Sequence, residues 1–194
     1  MTKQEVYNNI RYNENLVNSY SNNLRRLKNN INNLNSQISQ YNSQISQLNS
    51  RMRELRKQIN ELDQLKSKYQ KLQNDFMNRQ SKRVNKFNVN FSKQLNLKFI
   101  LSYINGMCSL LSGNEYKNAY NGLTSAIDII SNKIRVIQQE DNEVKRNISL
   151  NEKNINSMQQ EINSYQNQIN QTNSDLAYRR QRITYWKTQL KYAT

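Results

Sequence analysis

The stretch that decides the fold is residues 24–62, LRRLKNNINNLNSQISQYNSQISQLNSRMRELRKQINEL. Its apolar residues recur in alternating steps of three and four, which places them at the a and d positions of a heptad written a to g. A mean period of 3.5 residues forms a narrow apolar seam, which supercoils left-handed against another helix. The stretch therefore predicts a coiled coil. The seam residues are Leu24, Leu27, Ile31, Leu34, Ile38, Tyr41, Ile45, Leu48, Met52, Leu55, Ile59 and Leu62.

The same frame extends toward the N-terminus, where Asn13 is the one polar residue at a seam position. Thr2 followed by Glu5 has the form of a capping box, which predicts the start of the helix. Beyond Leu62 the next apolar residues come after a step of three where four was due, and this pattern predicts a stammer that overwinds the coil. The residues of the shifted frame are Leu65, Tyr69, Leu72 and Phe76.

The last third of the chain repeats the design in one unbroken frame. Its polar seam positions are Asp141, Asn151, Thr172 and Arg179. Polar residues in a seam lower stability but select the register, because a wrong alignment leaves them unpaired. The apolar seam positions are Ile127, Ile130, Ile134, Ile137, Val144, Ile148, Ile155, Met158, Ile162, Tyr165, Ile169, Leu176, Ile183, Trp186 and Leu190.

Composition agrees with long helices, because the 194 residues include no proline and three glycines. A mean hydropathy of -1.03 is too polar for a thick globular core. We therefore predict an all-α fold: an elongated antiparallel coiled-coil hairpin of two long helices with a small helical bundle at the tip. The expected parts are an N-terminal coiled-coil arm (1–76), a helical tip (77–126) and a C-terminal coiled-coil arm (127–194). A parallel homodimer of each arm is the alternative.

The predicted tip contains the most apolar segment of the chain, Phe99–Leu111, together with the single cysteine, Cys108. Leu111-Ser112-Gly113-Asn114 follows and is typical of a helix stop and restart, with Asn114 as the cap of the second helix. Because the apolar segment is too short and too interrupted to span a bilayer, we expect it to pack as the core of the tip rather than enter a membrane.

The chemistry of an enzyme is missing from the sequence. Histidine is absent, and no Gly-rich phosphate loop, paired carboxylates or metal-ligand spacing is present. We therefore expect no catalytic residues, no metal and no cofactor. No apolar signal segment follows Met1, which predicts a cytoplasmic protein.

The net charge of +15 favours attraction to anionic surfaces. The strongest cluster in the tip comprises Lys82, Arg83, Lys86 and Lys93, which we name as candidate contacts to such a surface. The cluster interleaves with Phe87 and Phe91, and helical spacing of such aromatics is more typical of a core than of a base-stacking platform. Nucleic acid and membranes are therefore not the partners we expect.

Leu111-Ser112-Gly113, followed by Tyr116, Ala119 and Tyr120, resembles the Trp-x-Gly bend of the ESAT-6-like helical hairpins of type VII secretion. The larger pattern resembles the small accessory proteins encoded with LXG toxins in Gram-positive bacteria. Leu111 stands where that family has Trp, and no Tyr-x-x-x-Asp/Glu export signal is present. The resemblance implies a targeting chaperone, exported together with its partner, whose bend residues Leu111, Gly113, Tyr116, Ala119 and Tyr120 contact that partner.

Two functions follow from these observations. The first is a non-enzymatic helical adaptor that binds the helical N-terminal domain of an LXG toxin or another protein with amphipathic helices. The second is a structural coiled-coil spacer or scaffold, including a homodimeric one, whose basic face binds nucleic acid or lipid. Binding to helical effector domains distinguishes the first, and salt-sensitive binding to DNA or anionic liposomes distinguishes the second.

Overall fold

The computed structural model describes residues 1–91, 102–103, 105–107, 109 and 113–193, and for 87–91 it describes the backbone alone. Its two long elements are α1, Lys3–Phe91 (89 residues), and α2, Asn114–Gln189 (76 residues), followed by a short 3-10 helix, Leu190–Tyr192. The described residues contain no strand. The prediction of an all-α helical hairpin is confirmed.

Both helices begin at identifiable caps. The Thr2 N–H donates to Glu5 Oε2 at 2.9 Å and the Glu5 N–H donates to Thr2 Oγ1 at 3.3 Å, so the predicted capping box is confirmed. At α2, the Lys117 N–H donates to the Gly113 carbonyl at 3.2 Å. Gly113 is therefore the cap and Asn114 the first helical residue, so the predicted cap at Asn114 is wrong by one position.

The chain divides into two compact units, and α1 and α2 contribute a segment to each. Unit 1 comprises Met1–Leu48 and Asn147–Thr194. Its core is a single seam rather than a thick interior, because the side chains removed from water lie along one line of each helix. The buried residues of unit 1 are Val6, Ile10, Asn13, Leu27, Thr172 and Leu176.

Unit 2 comprises Asn49–Arg146. Its two helical segments run antiparallel, because contacts further along α1 fall on earlier residues of α2. In order along α1, these contacts are Arg51–Glu140, Gln73–Thr124 and Phe76–Tyr116. The buried residues of unit 2 are Leu55, Ile130, Ile134, Ile137, Asp141 and Val144.

The predicted seam of α2 is confirmed over its whole length, including the polar positions. Every residue of that frame is buried or half-buried, from Ile127 to Leu190. The frame of α1 is likewise confirmed from Val6 to Leu62.

The predicted stammer after Leu62 is wrong. Leu65 and Leu72 are 40% and 55% exposed, whereas Lys66 and Gln73 are half-buried at the positions that an uninterrupted heptad requires. The frame of α2 is unbroken, so the seam of α1 stays opposite it only if its own 3.5-residue period continues. The polar side chain of Gln73 has a partner in the seam, because its Nε2 donates to Thr124 Oγ1 at 2.7 Å.

Part of the predicted tip, 92–101 together with 104, 108 and 110–112, lies outside the described residues. The helix α1 continues from Met77 to Phe91, and residues 102–103, 105–107 and 109 are helical. Cys108, Leu111 and most of Phe99–Leu111 are not among the described residues. In the part of the chain that is described, no helix holds an apolar run sufficient to cross a bilayer.

Candidate functional site: an exposed apolar row on α2

One heptad position of α2 carries all of its exposed large apolar side chains. These residues are separated by multiples of seven and occupy the c position, outside the seam. A helix in a two-stranded coiled coil normally places polar residues there, because c points away from the partner helix. We call the set the c row: Ile129 (69% exposed), Val136 (51%), Leu150 (56%), Tyr178 (53%) and Tyr185 (46%).

In unit 2 the c row borders a flank on which α1 is also apolar. Leu65 lies at a g position of α1, and it lines a shallow groove of about 360 Å³ together with Lys133, a g residue of α2. Ile129 and Val136 lie four residues before and three residues after Lys133, so they are its neighbours on the helix surface. The flank therefore presents Leu65, Ile129 and Val136 around the Lys133 side chain.

An ion pair holds the same flank further along unit 2. Arg51 donates to Glu140 Oε1 from Nε at 2.9 Å and from Nη2 at 2.6 Å, and both residues occupy g positions. This contact shows directly that the g positions of the two helices face each other on this side of unit 2. Because the exposed pair is solvated, we assign it a role in alignment more than in stability.

In unit 1 the c row comprises Leu150 and two aromatic residues, Tyr178 and Tyr185. The Arg182 guanidinium lies 4.9 Å from the ring centroid of Tyr185 and 5.1 Å from that of Trp186. Arg179 lies 5.3 Å from the Tyr178 ring. These cation–π contacts hold the rings on the helix surface, and an arginine stacked on an aromatic ring is a frequent feature of protein interfaces.

The bend residues predicted as a partner site are only partly free. Tyr116 stacks on Phe76 of α1, with ring centroids 5.1 Å apart and planes at 10°. Tyr120 stacks next to Tyr116 at 6.3 Å. Both rings are half-buried within unit 2, while Ala119 is exposed. Leu111 lies outside the described residues, and Gly113 precedes the first turn of α2.

The basic candidates of the predicted tip are placed on the helix surface. Lys82, Arg83 and Lys86 are exposed in the last turns of α1, and none of them forms an ion pair with a carboxylate of the described residues. Lys93 lies outside those residues. The described part of the chain also contains no cluster of His, Cys, Asp and Glu that could hold a metal ion.

The seam of α2 was predicted from the sequence, but the c row was not. The signal was available in the sequence, because a second set of apolar residues at a seven-residue spacing can be found once the seam frame is assigned. What the sequence could not supply is the contribution of Leu65, because the stammer placed that residue in the seam.

Comparison with known proteins gives no match: no protein-family model fits the chain, and no curated protein or solved structure is significantly similar to it. The likeness to ESAT-6-like hairpins accordingly rests on the bend motif and the helical pattern alone.

Proposed function

We propose that this protein is a non-enzymatic helical adaptor that binds an amphipathic helix of a protein partner along the unit 2 part of the c row, Ile129 and Val136. The observation that carries the proposal is the confinement of the exposed apolar residues of α2 to one heptad position. Isolated surface hydrophobics are normal, but a line of them with the period of a coiled coil matches the way a further helix packs onto a bundle.

The partner class follows from the geometry of the row. Ile129 and Val136 are seven residues apart, so a helix that lies alongside meets them with its own residues of the same spacing. The Leu65 side chain widens the contact on the α1 side. A partner helix with apolar a and d residues would therefore extend the two-helix seam of unit 2 into a three-helix arrangement.

The specific partner that we propose is the helical N-terminal domain of an LXG toxin, bound in the cytoplasm and delivered to a type VII secretion system. The support is the resemblance of the 111–120 bend to the Trp-x-Gly turn, together with the helical hairpin. Tyr116 and Tyr120 would support this contact from within unit 2, since their rings pack against Phe76 and each other.

The test pairs two double variants of α2. Ile129→Glu with Val136→Glu places charges in the c row, whereas Asn132→Glu with Gln139→Glu adds the same charges at exposed f positions. We expect the first pair to weaken co-purification with helical effector domains of the same genome by about tenfold or more, since burying an unpaired charge in an interface costs several kcal/mol. The second pair should bind within about threefold of the parent chain.

Circular dichroism of both variants provides the control for folding. Equal losses in the two pairs would remove the c row as the binding surface. Failure of the parent chain to bind any helical effector domain would overturn the adaptor function itself.

A second candidate is a coiled-coil spacer or scaffold with a basic face. Its support is the exposure of Lys82, Arg83 and Lys86 without carboxylate partners in the described residues. The triple variant to Gln should then abolish binding to DNA or anionic liposomes, and added salt should weaken it. Absence of binding by the parent chain at low salt would exclude this function.

A further inference from the structure

A second surface lies in unit 1, on the flank of the e positions and opposite the flank that carries the c row. Its side chains are mainly polar and basic. Ser21, Lys28, Asn173 and Arg180 occupy e positions, and they surround an open groove of about 600 Å³. This volume lies within the range of ligand-binding clefts. The complete lining is Ser21, Leu24, Arg25, Lys28, Asn29, Asn32, Asn173, Leu176, Ala177 and Arg180.

The groove exists because small side chains stand where long ones would cover the seam. The groove is lined by the small side chains of Ser21 on α1 and Ala177 on α2, together with the seam residues Leu24 and Leu176. Leu176 is 6% exposed, so this residue belongs to the seam itself. The rim consists of longer polar side chains from both helices. Because both helical segments belong to unit 1, the groove lies within that unit.

Three cations at the rim have no carboxylate partner among the described residues. Arg25, Lys28 and Arg180 are exposed, and none of them forms an ion pair with a described carboxylate. Flanking positions of coiled coils commonly pair opposite charges across the two helices. The neighbouring e residues do so, since Lys187 Nζ lies 3.6 Å from Glu14 Oε1. At the groove the three cations instead line an opening together with Ser21 and three asparagines.

We propose that this groove binds a free oligophosphate, a short chain of linked phosphate groups. Two arginines can each present a planar fork of N–H donors to phosphate oxygens, and Lys28 adds a point charge. Asn29, Asn32 and Asn173 offer amide donors for the remaining oxygens. Arg25 and Lys28 approach from α1 and Arg180 approaches from α2, so the ligand would also bridge the two helices.

The extent of the groove distinguishes a phosphate chain from a single phosphate ion. Its lining runs from Ser21 to Asn32 on α1 and from Asn173 to Arg180 on α2. At 1.5 Å per residue these segments are about 16 Å and about 10 Å long. One phosphate would reach only part of such a groove, whereas linked phosphates can contact all three cations.

The lining also disfavours nucleic acid. Proteins that hold single-stranded nucleic acid combine cations with aromatic rings on which the bases stack. No aromatic residue lines this groove, and the aromatic residues of the unit 1 c row, Tyr178 and Tyr185, lie at a different heptad position from Arg180. The groove thus offers donors and charge for phosphate but no platform for a base.

The experiment is isothermal titration of the full chain with inorganic triphosphate at low ionic strength. Arg25→Gln with Arg180→Gln removes two rim charges, and the matched control, Arg146→Gln with Arg135→Gln, removes two exposed arginine charges from unit 2. We expect the groove variant to bind at least about tenfold more weakly, because each arginine contributes charge-assisted hydrogen bonds. The control variant should bind within about threefold of the parent, and orthophosphate should bind more weakly than triphosphate.

Several outcomes would overturn the proposal. They are the absence of triphosphate binding by the parent chain, equal weakening in the two variants, and equal affinity for orthophosphate and triphosphate. Duplex DNA and vesicles containing phosphatidic acid complete the series. If either of them requires Arg25 and Arg180 while triphosphate does not bind, the groove serves a macromolecular anion and the proposal is wrong.

Discussion

Arg179 and Asn13 meet in the seam of unit 1, where Arg179 Nη1 donates to Asn13 Oδ1 at 3.4 Å. Asn13 is 3% exposed, and its Nδ2 donates to the Asn9 carbonyl at 2.7 Å. The buried Nε of Arg179 has no hydrogen-bond acceptor. The hydrogen bond is therefore long, and one donor of Arg179 is left without an acceptor. We expect such a polar pair in a seam to select the alignment of the two helices at a cost in stability.

A double-mutant cycle at this pair tests the assignment. Arg179→Leu should raise the free energy of unfolding by about 1 kcal/mol, because it removes the orphaned donor and adds apolar seam surface. Asn13→Leu alone should lower stability, because it removes the acceptor that Arg179 uses. The double variant should be more stable than the two single effects predict. Urea unfolding of the four chains measures the cycle, and additive effects would mean that the two side chains do not interact.

Asp141 provides a second test, in unit 2. It is 6% exposed, and its carboxylate pairs with Lys145 Nζ at 2.5 Å and with Arg56 Nε at 3.7 Å. Both basic partners are largely exposed and remain hydrated when the acid is removed. Asp141→Leu should therefore raise the melting temperature, with a gain of about 1 kcal/mol, since it replaces a desolvated charge by apolar surface.

Asn151 in unit 1 should respond in the same direction but more weakly. It is half-buried, and its Nδ2 donates to Gln44 Oε1 at 3.3 Å, a long hydrogen bond. Asn151→Ile should raise the melting temperature while loosening the choice of register, which cysteine cross-linking across the two helices would reveal. Unchanged or lower melting temperatures for both Asp141→Leu and Asn151→Ile would contradict their places in the seam.

The uninterrupted frame after Leu62 makes a prediction opposite to that of a stammer. Lys66→Leu should stabilise the protein by about 1 kcal/mol, because the new side chain extends the seam. Leu65→Lys should change stability by no more than about 0.5 kcal/mol, as at other exposed positions. Leu55→Ala, at a fully buried seam residue, serves as the reference and should cost about 2–5 kcal/mol. If Leu65→Lys destabilises the protein while Lys66→Leu leaves its stability unchanged, the uninterrupted frame is wrong and the stammer is supported.

Tyr165 supplies a prediction about pH. Its hydroxyl donates to Glu161 Oε1 at 2.6 Å, and this hydrogen bond, followed by desolvation and the charge of Glu161, raises the pKa of Tyr165 above its ordinary value of 10.0. The neutral phenol is thus favoured by folding. The resulting stabilisation is present below the unfolded pKa and is lost as the pH rises through the folded one.

The measurement compares melting temperatures of the parent chain and Tyr165→Phe between pH 7 and 11. The advantage of the parent should be constant up to about pH 9 and shrink above about pH 10. Glu161→Gln should make this loss smaller, because it removes the negative charge that raises the pKa of Tyr165. An advantage that grows with pH would contradict the hydrogen bond.

The predictions that the structure confirms best are those that depend on one local pattern of residues. The capping box of Thr2 and Glu5 depends on four consecutive residues, so its two hydrogen bonds could be predicted without any tertiary information. The seam of α2 could be predicted in full, polar residues included, because a seven-residue repeat on a helix constrains which side chains share a face. Asp141 and Asn151 are seam residues by position, whatever their chemistry.

Hydrophobicity alone predicts the wrong seam residue at Leu65 and Lys66. Taken alone, Leu65 is the better seam residue, and the sequence of α1 favours a shifted frame. The helix that packs against α1 rules out the shifted frame. The seam of α2 has no interruption, and the seam of α1 stays in contact with it only if it has none either. The long aliphatic part of Lys66 tolerates half-burial, with its charged end directed to water.

The sequence by itself therefore determined the two helices, the cap at Thr2, the seam of α2 with its polar residues and the seam of α1 up to Leu62, since these depend on residues close together in the chain. Only the tertiary structure decided what borders the seam. Leu65 of α1 shares a groove with Lys133 of α2, and Arg25 and Lys28 share another with Arg180, because the antiparallel register brings residues far apart in sequence onto one flank. The physical reason is that a heptad specifies which face of a helix is buried, whereas the alignment of two helices depends on the contacts that both of them make.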